Sequence, residues 1–218
     1  MLPWNYPYIA IVLLSILIYA GFEDLRKRKI TTVTFLVADV ALFFYYLSFD
    51  VWLALFLIPI FSEFFTRKFS AIAYIVLAVP LFFDLSFLTV SLAYSILLVK
   101  AFGVLVKNFG RGDVKVLQTI SVAIPFYPHL QLIDSLFPPV LAVTFVASVV
   151  GVISSVIFTR RKAWECSIRP FSQFTETQRL DPNKFWIKDS MPVYKIPFVT
   201  FICFGYTLLL ILSSLRLV

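Results

Sequence analysis

Apolar residues fall in runs of membrane-crossing length, separated by short stretches of charge. The first extends from Tyr6 to Phe22 and ends in Glu23-Asp24-Leu25-Arg26-Lys27-Arg28-Lys29. Others follow at Thr32 to Phe49, Val51 to Phe65, Phe69 to Phe83 and Ser86 to Val106, broken by Asp50, Arg67-Lys68 and Asp84. The stretch Lys107 to Lys115 precedes two more, Val116 to Leu136 and Pro139 to Thr159. A polar segment from Arg160 to Val193 then leads into the last run, Tyr194 to Leu215. About 20 apolar residues cross a bilayer as one helix, so the pattern predicts an all-α polytopic membrane protein of six to eight spans. The runs between Asp50 and Asp84 are short or closely spaced for a hydrocarbon layer of about 30 Å, and dropping them as a pair lowers the count from eight to six. The chain then divides into a helical core over 1–159, a cytoplasmic or interfacial loop over 160–193, and a final transmembrane helix over 194–218.

Composition sharpens this reading. Of 218 residues, 61% are hydrophobic and 14% charged, with a mean hydropathy of +0.93. That leaves too few polar side chains to cover a water-facing globule. The 25 Phe, 6 Gly and 2 Cys exclude disordered, collagen-like and disulfide-framework classes. Cys166 and Cys203 suggest neither a disulfide nor a metal cluster. The net charge of +7 would suggest nucleic acid in a soluble protein, but here the basic residues cluster between apolar runs and no nucleic-acid-binding motif accompanies them. With the N-terminus outside, all but Arg216 of the 19 basic residues lie in inward loops or at inner span ends, while Asp50, Asp84 and Asp134 mark the outer turns. The first run lacks a basic region before it and carries its charge after it, the reverse of a signal peptide.

Carboxylates near a bilayer are costly, so each needs a reason. Asp24 closes the first run at the inner face, and Asp113, in Gly110-Arg111-Gly112-Asp113, opens the sixth at that same face. Two carboxyls far apart in sequence are thus predicted at one depth. Sharing a site, they would repel, leaving one protonated and one ionised, which is what water-activating aspartate chemistry needs. Gly110 and Gly112 are expected to supply φ > 0 and close backbone approach. The bland alternative is that Asp24 flanks a helix and Asp113 is a helix-start aspartate.

Three blocks carry a resemblance: Tyr19-Ala-Gly-Phe-Glu-Asp24-Leu-Arg-Lys-Arg-Lys-Ile30, Gly110-Arg-Gly-Asp113-Val-Lys115-Val-Leu, and Trp186-Ile-Lys-Asp-Ser-Met-Pro192-Val-Tyr-Lys-Ile-Pro197-Phe. In order and placement they resemble the archaeal prepilin and preflagellin peptidases, membrane-embedded GxGD aspartyl proteases of the type IV prepilin peptidase class. The resemblance implies a catalytic pair, Asp24 and Asp113, with Gly110 and Gly112 as motif glycines and no cofactor or metal. It implies precursors with class III, pilin-like signal peptides as partners, cut at the cytoplasmic face of the plasma membrane between a short basic leader and a hydrophobic segment. The interval between the aspartates exceeds the family pattern, as if a helical hairpin were inserted between Asp50 and Asp84. The cysteine-rich domain and methyl transfer of bacterial relatives have no counterpart here.

Other ionisable residues are weaker candidates. Asp39 and Glu63 lie within apolar runs and suit a structural, ion-pair or proton-relay role. His129 stands without the partners that a zinc site needs. Glu165, Glu176, Asp181 and Asp189 are loop acids able to attract a basic leader. Two other function classes remain open: a proton-coupled transporter, which should show midplane acids and a repeat of broken helices, and a non-enzymatic membrane scaffold that needs neither aspartate.

Overall fold

An apolar run with no water beside it can satisfy its backbone only by coiling, and most of this chain does so. The computed structural model describes residues 6–27, 30–48, 51–64, 72–105, 110–124, 138–168, 185–188 and 191–214. Helix α1 (Tyr6–Lys27) ends with Arg26 and Lys27 in its last turn, where cations suit the negative end of the helix dipole. The turn to α2 (Thr32–Leu47) is clasped by Glu23, whose carboxylate accepts the Thr31 N–H at 2.8 Å and the Thr31 hydroxyl at 2.7 Å. Next come two short helices, α3 (Val51–Leu55) and α4 (Leu57–Ser62). A 3₁₀ turn at Tyr74–Leu77 opens into α5 (Ala78–Phe83). Four longer elements complete the set: α6 (Phe87–Leu105), α7 (Arg111–Ala123), α8 (Pro139–Ile168) and α9 (Phe198–Ser214).

Among the described residues, three helices are long and apolar enough to cross a membrane: Tyr8–Lys27, Phe87–Leu105 and Pro139–Arg161. Their outer faces carry apolar side chains that no protein group covers, among them Ile11, Val12 and Ile18 on α1 and Val152, Ile153 and Ile157 on α8. Surfaces of that kind belong against lipid rather than water. Among its described residues, the Asp50 to Asp84 interval holds short pieces, with Pro59 inside α4 and Pro80 inside α5.

The polar segment differs from a plain loop. Helix α8 continues past Thr159 to Ile168, and its 30 residues reach about 45 Å, longer than the hydrocarbon layer is thick. Beyond it, Phe185–Lys188 (β1) pairs antiparallel with Met191–Tyr194 (β2), Phe185 opposite Tyr194. A short hairpin thus stands where the pattern of charges predicts irregular chain, and β2 packs on α8. The last helix starts at Phe198, just after Pro197, which cannot donate to a helix ladder but fits its first turn.

Helix α7 lies at the centre, touching α1, α2, α4, α6, α8 and α9. Every residue from Val116 to Ile124 is buried. Small residues set the closest approaches around it. A Cβ on Gly103 of α6 would lie 2.6 Å from Val114 Cγ2, and one on Gly205 of α9 would lie 2.9 Å from the Val143 carbonyl of α8. The Tyr46 hydroxyl of α2 donates to the Val122 carbonyl at 2.6 Å, satisfying an end-of-helix acceptor that α7 itself leaves open.

Candidate active site

Asp24 sits in the last turn of α1 and is buried. Its Oδ2 accepts the Val199 N–H at 3.1 Å, a donor from the first turn of α9. The first N–H groups of a helix have no partner within it, so a carboxylate there completes α9 as much as α9 restrains the carboxylate. The same turn grips α1 a second time: the Thr200 hydroxyl donates to the Gly21 carbonyl at 2.8 Å, and a Cβ on Gly21 would stand 3.4 Å from Thr200 Cα. Sequence reasoning missed Val199; the signal available for it was Pro197, which announces a helix start and therefore unpaired donors.

Asp113 occupies the third position of α7, preceding the apolar run that begins at Val116. Its Oδ2 accepts the Gly110 N–H at 3.1 Å, so it also performs the capping role of a first-turn acid. The glycines follow one part of the expectation, close approach, and not the other, a positive φ. Gly110 has φ −69° and ψ 142°, an extended conformation open to any residue, and Gly112 shows no left-handed φ either. Gly110 is needed for space, because a Cβ there would lie 2.7 Å from Asp113 Oδ2. At Gly112 a Cβ would meet Ile30 Cδ1 at 3.4 Å, an ordinary contact.

The two acids converge. Asp113 has its pKa pushed up to about 7, chiefly by desolvation and then by the charge of Asp24 beside it, with the Gly110 N–H pulling weakly the other way. A carboxyl that feels its neighbour's charge this way holds its proton near neutrality while the neighbour is ionised. Such a pair can move a proton to and from water at neutral pH.

A second polar cluster lies on another side of α7. Glu63 pairs with Lys100 of α6 and accepts a 3.0 Å hydrogen bond from the Tyr74 hydroxyl, and Gln118 Nε2 donates to that hydroxyl in turn. Lys100 stands 5.0 Å from the Tyr74 ring centroid, and Lys115 stands 4.3 Å from that of Phe64. Glu63 is therefore an ion-pair residue. Asp39 is different. It is fully buried in α2, and among the described residues neither carboxylate oxygen has a hydrogen-bond partner. Thr119 lies beside it, but the Thr119 hydroxyl donates to the Lys115 carbonyl at 3.1 Å.

Among the described residues no group of three His, Cys, Asp or Glu is arranged to hold a metal ion. An apolar cleft of about 300 Å³ opens between α1 and α2, lined by Tyr8, Leu13, Ala38, Leu42 and Tyr45 among others, toward the end of α1 far from Asp24. His129, Glu176, Asp181 and Asp189 lie outside the described residues, and Glu165 falls within α8. No protein family, curated protein or solved structure matches the chain.

Proposed function

We propose that the protein is a membrane-embedded aspartyl endopeptidase that removes short basic leaders from prepilin-like or preflagellin-like precursors. What supports this reading is the charge of Asp24 acting on Asp113, two acids that come from different helices. Asp24, held by the Val199 N–H, takes a proton from a water molecule as that water attacks the scissile carbonyl. Asp113, protonated up to about pH 7, polarises the carbonyl oxygen and then passes its proton to the departing amine. Water must reach the pair, and their place at a helix end and a helix start suits that need. In this account the chain crosses the plasma membrane six to eight times with its N-terminus outside. The aspartates then face the cytoplasm, and the hydrophobic part of the precursor packs laterally among helices. Three spanning-length helices and the lipid-facing apolar surface support the membrane setting.

The test is leader removal in reconstituted vesicles, using a precursor with a basic leader followed by a hydrophobic segment. Wild type cleaves it, chelators leave the rate unchanged, and Asp24→Asn or Asp113→Asn lowers the rate by about 10³-fold. Full activity in either variant rejects the pair.

A proton-coupled transporter has one observation in its favour, the buried Asp39, whose carboxylate oxygens find no hydrogen-bond partner of good geometry among the described residues. That reading requires substrate uptake driven by a pH gradient and abolished by Asp39→Asn, with Asp24→Asn and Asp113→Asn retaining transport.

A further inference from the structure

Helix α7 is buried on nearly every side from Val116 onward, and packing that is mostly apolar fixes the rotation of a helix less sharply than hydrogen bonds do. Its orientation nevertheless decides whether Asp113 faces Asp24. A directional contact elsewhere on the helix is therefore worth looking for. Gln118 lies five residues beyond Asp113, about 140° around the helix, so it occupies a nearly opposite face. It is fully buried, and its amide donates to the Tyr74 hydroxyl, which donates to Glu63 at 3.0 Å. Glu63 is tied to Lys100 of α6. A hydrogen bond that ends on an ion pair in a low-dielectric setting is strong and directional. The remaining amide oxygen of Gln118 has no partner among the described residues, so this side chain has little else to turn to. Glu63 and Tyr74 both come from the Asp50 to Asp84 interval, the stretch that exceeds the pattern of the family the chain resembles.

We propose that Tyr74 and Gln118, backed by the Glu63–Lys100 ion pair, form an angular lock on α7 and act as positioning residues for Asp113. The inference rests on the protease reading for its catalytic consequence but not for its geometry. The lock holds one side of the helix so that the other side presents Asp113 to Asp24. It never touches substrate.

Tyr74→Phe removes one hydroxyl and keeps the ring. In the reconstituted full-length protein, kcat for leader removal falls about tenfold and KM stays within about twofold. Gln118→Leu gives a similar loss, and the double variant is no worse than the poorer single one, because both act through one contact. Equal kcat in Tyr74→Phe and wild type, or additive losses in the double variant, overturns the lock. A second readout is independent of catalysis. Spin labels at Leu25→Cys and Arg111→Cys, in a background lacking Cys166 and Cys203, report the distance between the end of α1 and the start of α7. Tyr74→Phe broadens or shifts that distribution. An unchanged distribution overturns the lock whether or not any precursor is cleaved, whereas a shifted distribution in a protein that cleaves nothing upholds the lock and rejects the protease reading.

Discussion

Helix α7 is flanked by two sets of polar contacts of different chemistry. Near its start, backbone groups tie α9 to α1 and cap α7: Val199 N–H on Asp24, close approach of Gly21 to Thr200, and Gly110 N–H on Asp113. Farther along, the other set is built from side chains, with Gln118, Tyr74, Glu63 and Lys100 linked in series. Backbone donors restrain a carboxylate yet leave it free to gain and lose a proton. A chain of side chains ending in an ion pair fixes position and has no spare capacity for chemistry. The contrast is the reason for placing the proposed chemistry at Asp24 and Asp113, although Glu63 and Lys100 also pair as charges and are partly buried.

Breaking the Asp24–Asp113 pair has the largest expected effect. Asp113→Asn keeps the size of the side chain and removes the acid, and cleavage falls by about 10³-fold in the vesicle assay. Raising the pH comes next. Because the pKa of Asp113 lies above its ordinary value, its proton is retained up to about pH 7 and lost above it. The cleavage rate then declines about tenfold per unit on the alkaline side, to about a hundredfold by two units above. A rate that stays level across that range contradicts Asp113 as the proton donor. Gly110→Ala places a methyl 2.7 Å from Asp113 Oδ2 and must turn the carboxyl aside, lowering the rate about tenfold without unfolding the protein, as thermal melting would register. Gly112→Ala has the smallest effect. Its methyl meets Ile30 at an ordinary distance and alanine favours helix, so activity stays within about threefold of wild type.

The contrast between those two glycines also marks what the sequence could convey. Hydrophobic runs foretell the helices at α1, α2, α6, α8 and α9, because burial against lipid demands long unbroken apolar stretches. They leave open the interval that holds α3 to α5, whose runs are short for a bilayer and where Pro59 and Pro80 fall within the helices and Glu63 reaches for Lys100. Charge placement predicts Asp24 and Asp113 at a common depth; the structure adds that the charge of Asp24 acts on Asp113, which speaks of nearness and not of depth. Of the two reasons for Gly110, close approach and a left-handed backbone, only the first applies: its backbone is extended, and a Cβ there would lie 2.7 Å from the Asp113 carboxylate. Val199 carried no signal of its own, since the contribution is a backbone N–H that any residue except proline would supply. Gln118 and Tyr74 were invisible for another reason. Each is an ordinary polar residue until three separate elements are folded together around it.

The central claim is that Asp24 raises the proton affinity of Asp113. Isotope-edited infrared spectroscopy of the reconstituted protein follows protonation of the Asp113 carboxyl directly as pH is varied. The account predicts a midpoint near pH 7 in wild type and a lower midpoint in Asp24→Asn, where the neighbouring charge is gone but desolvation persists. A midpoint that does not move when Asp24 is neutralised contradicts the account.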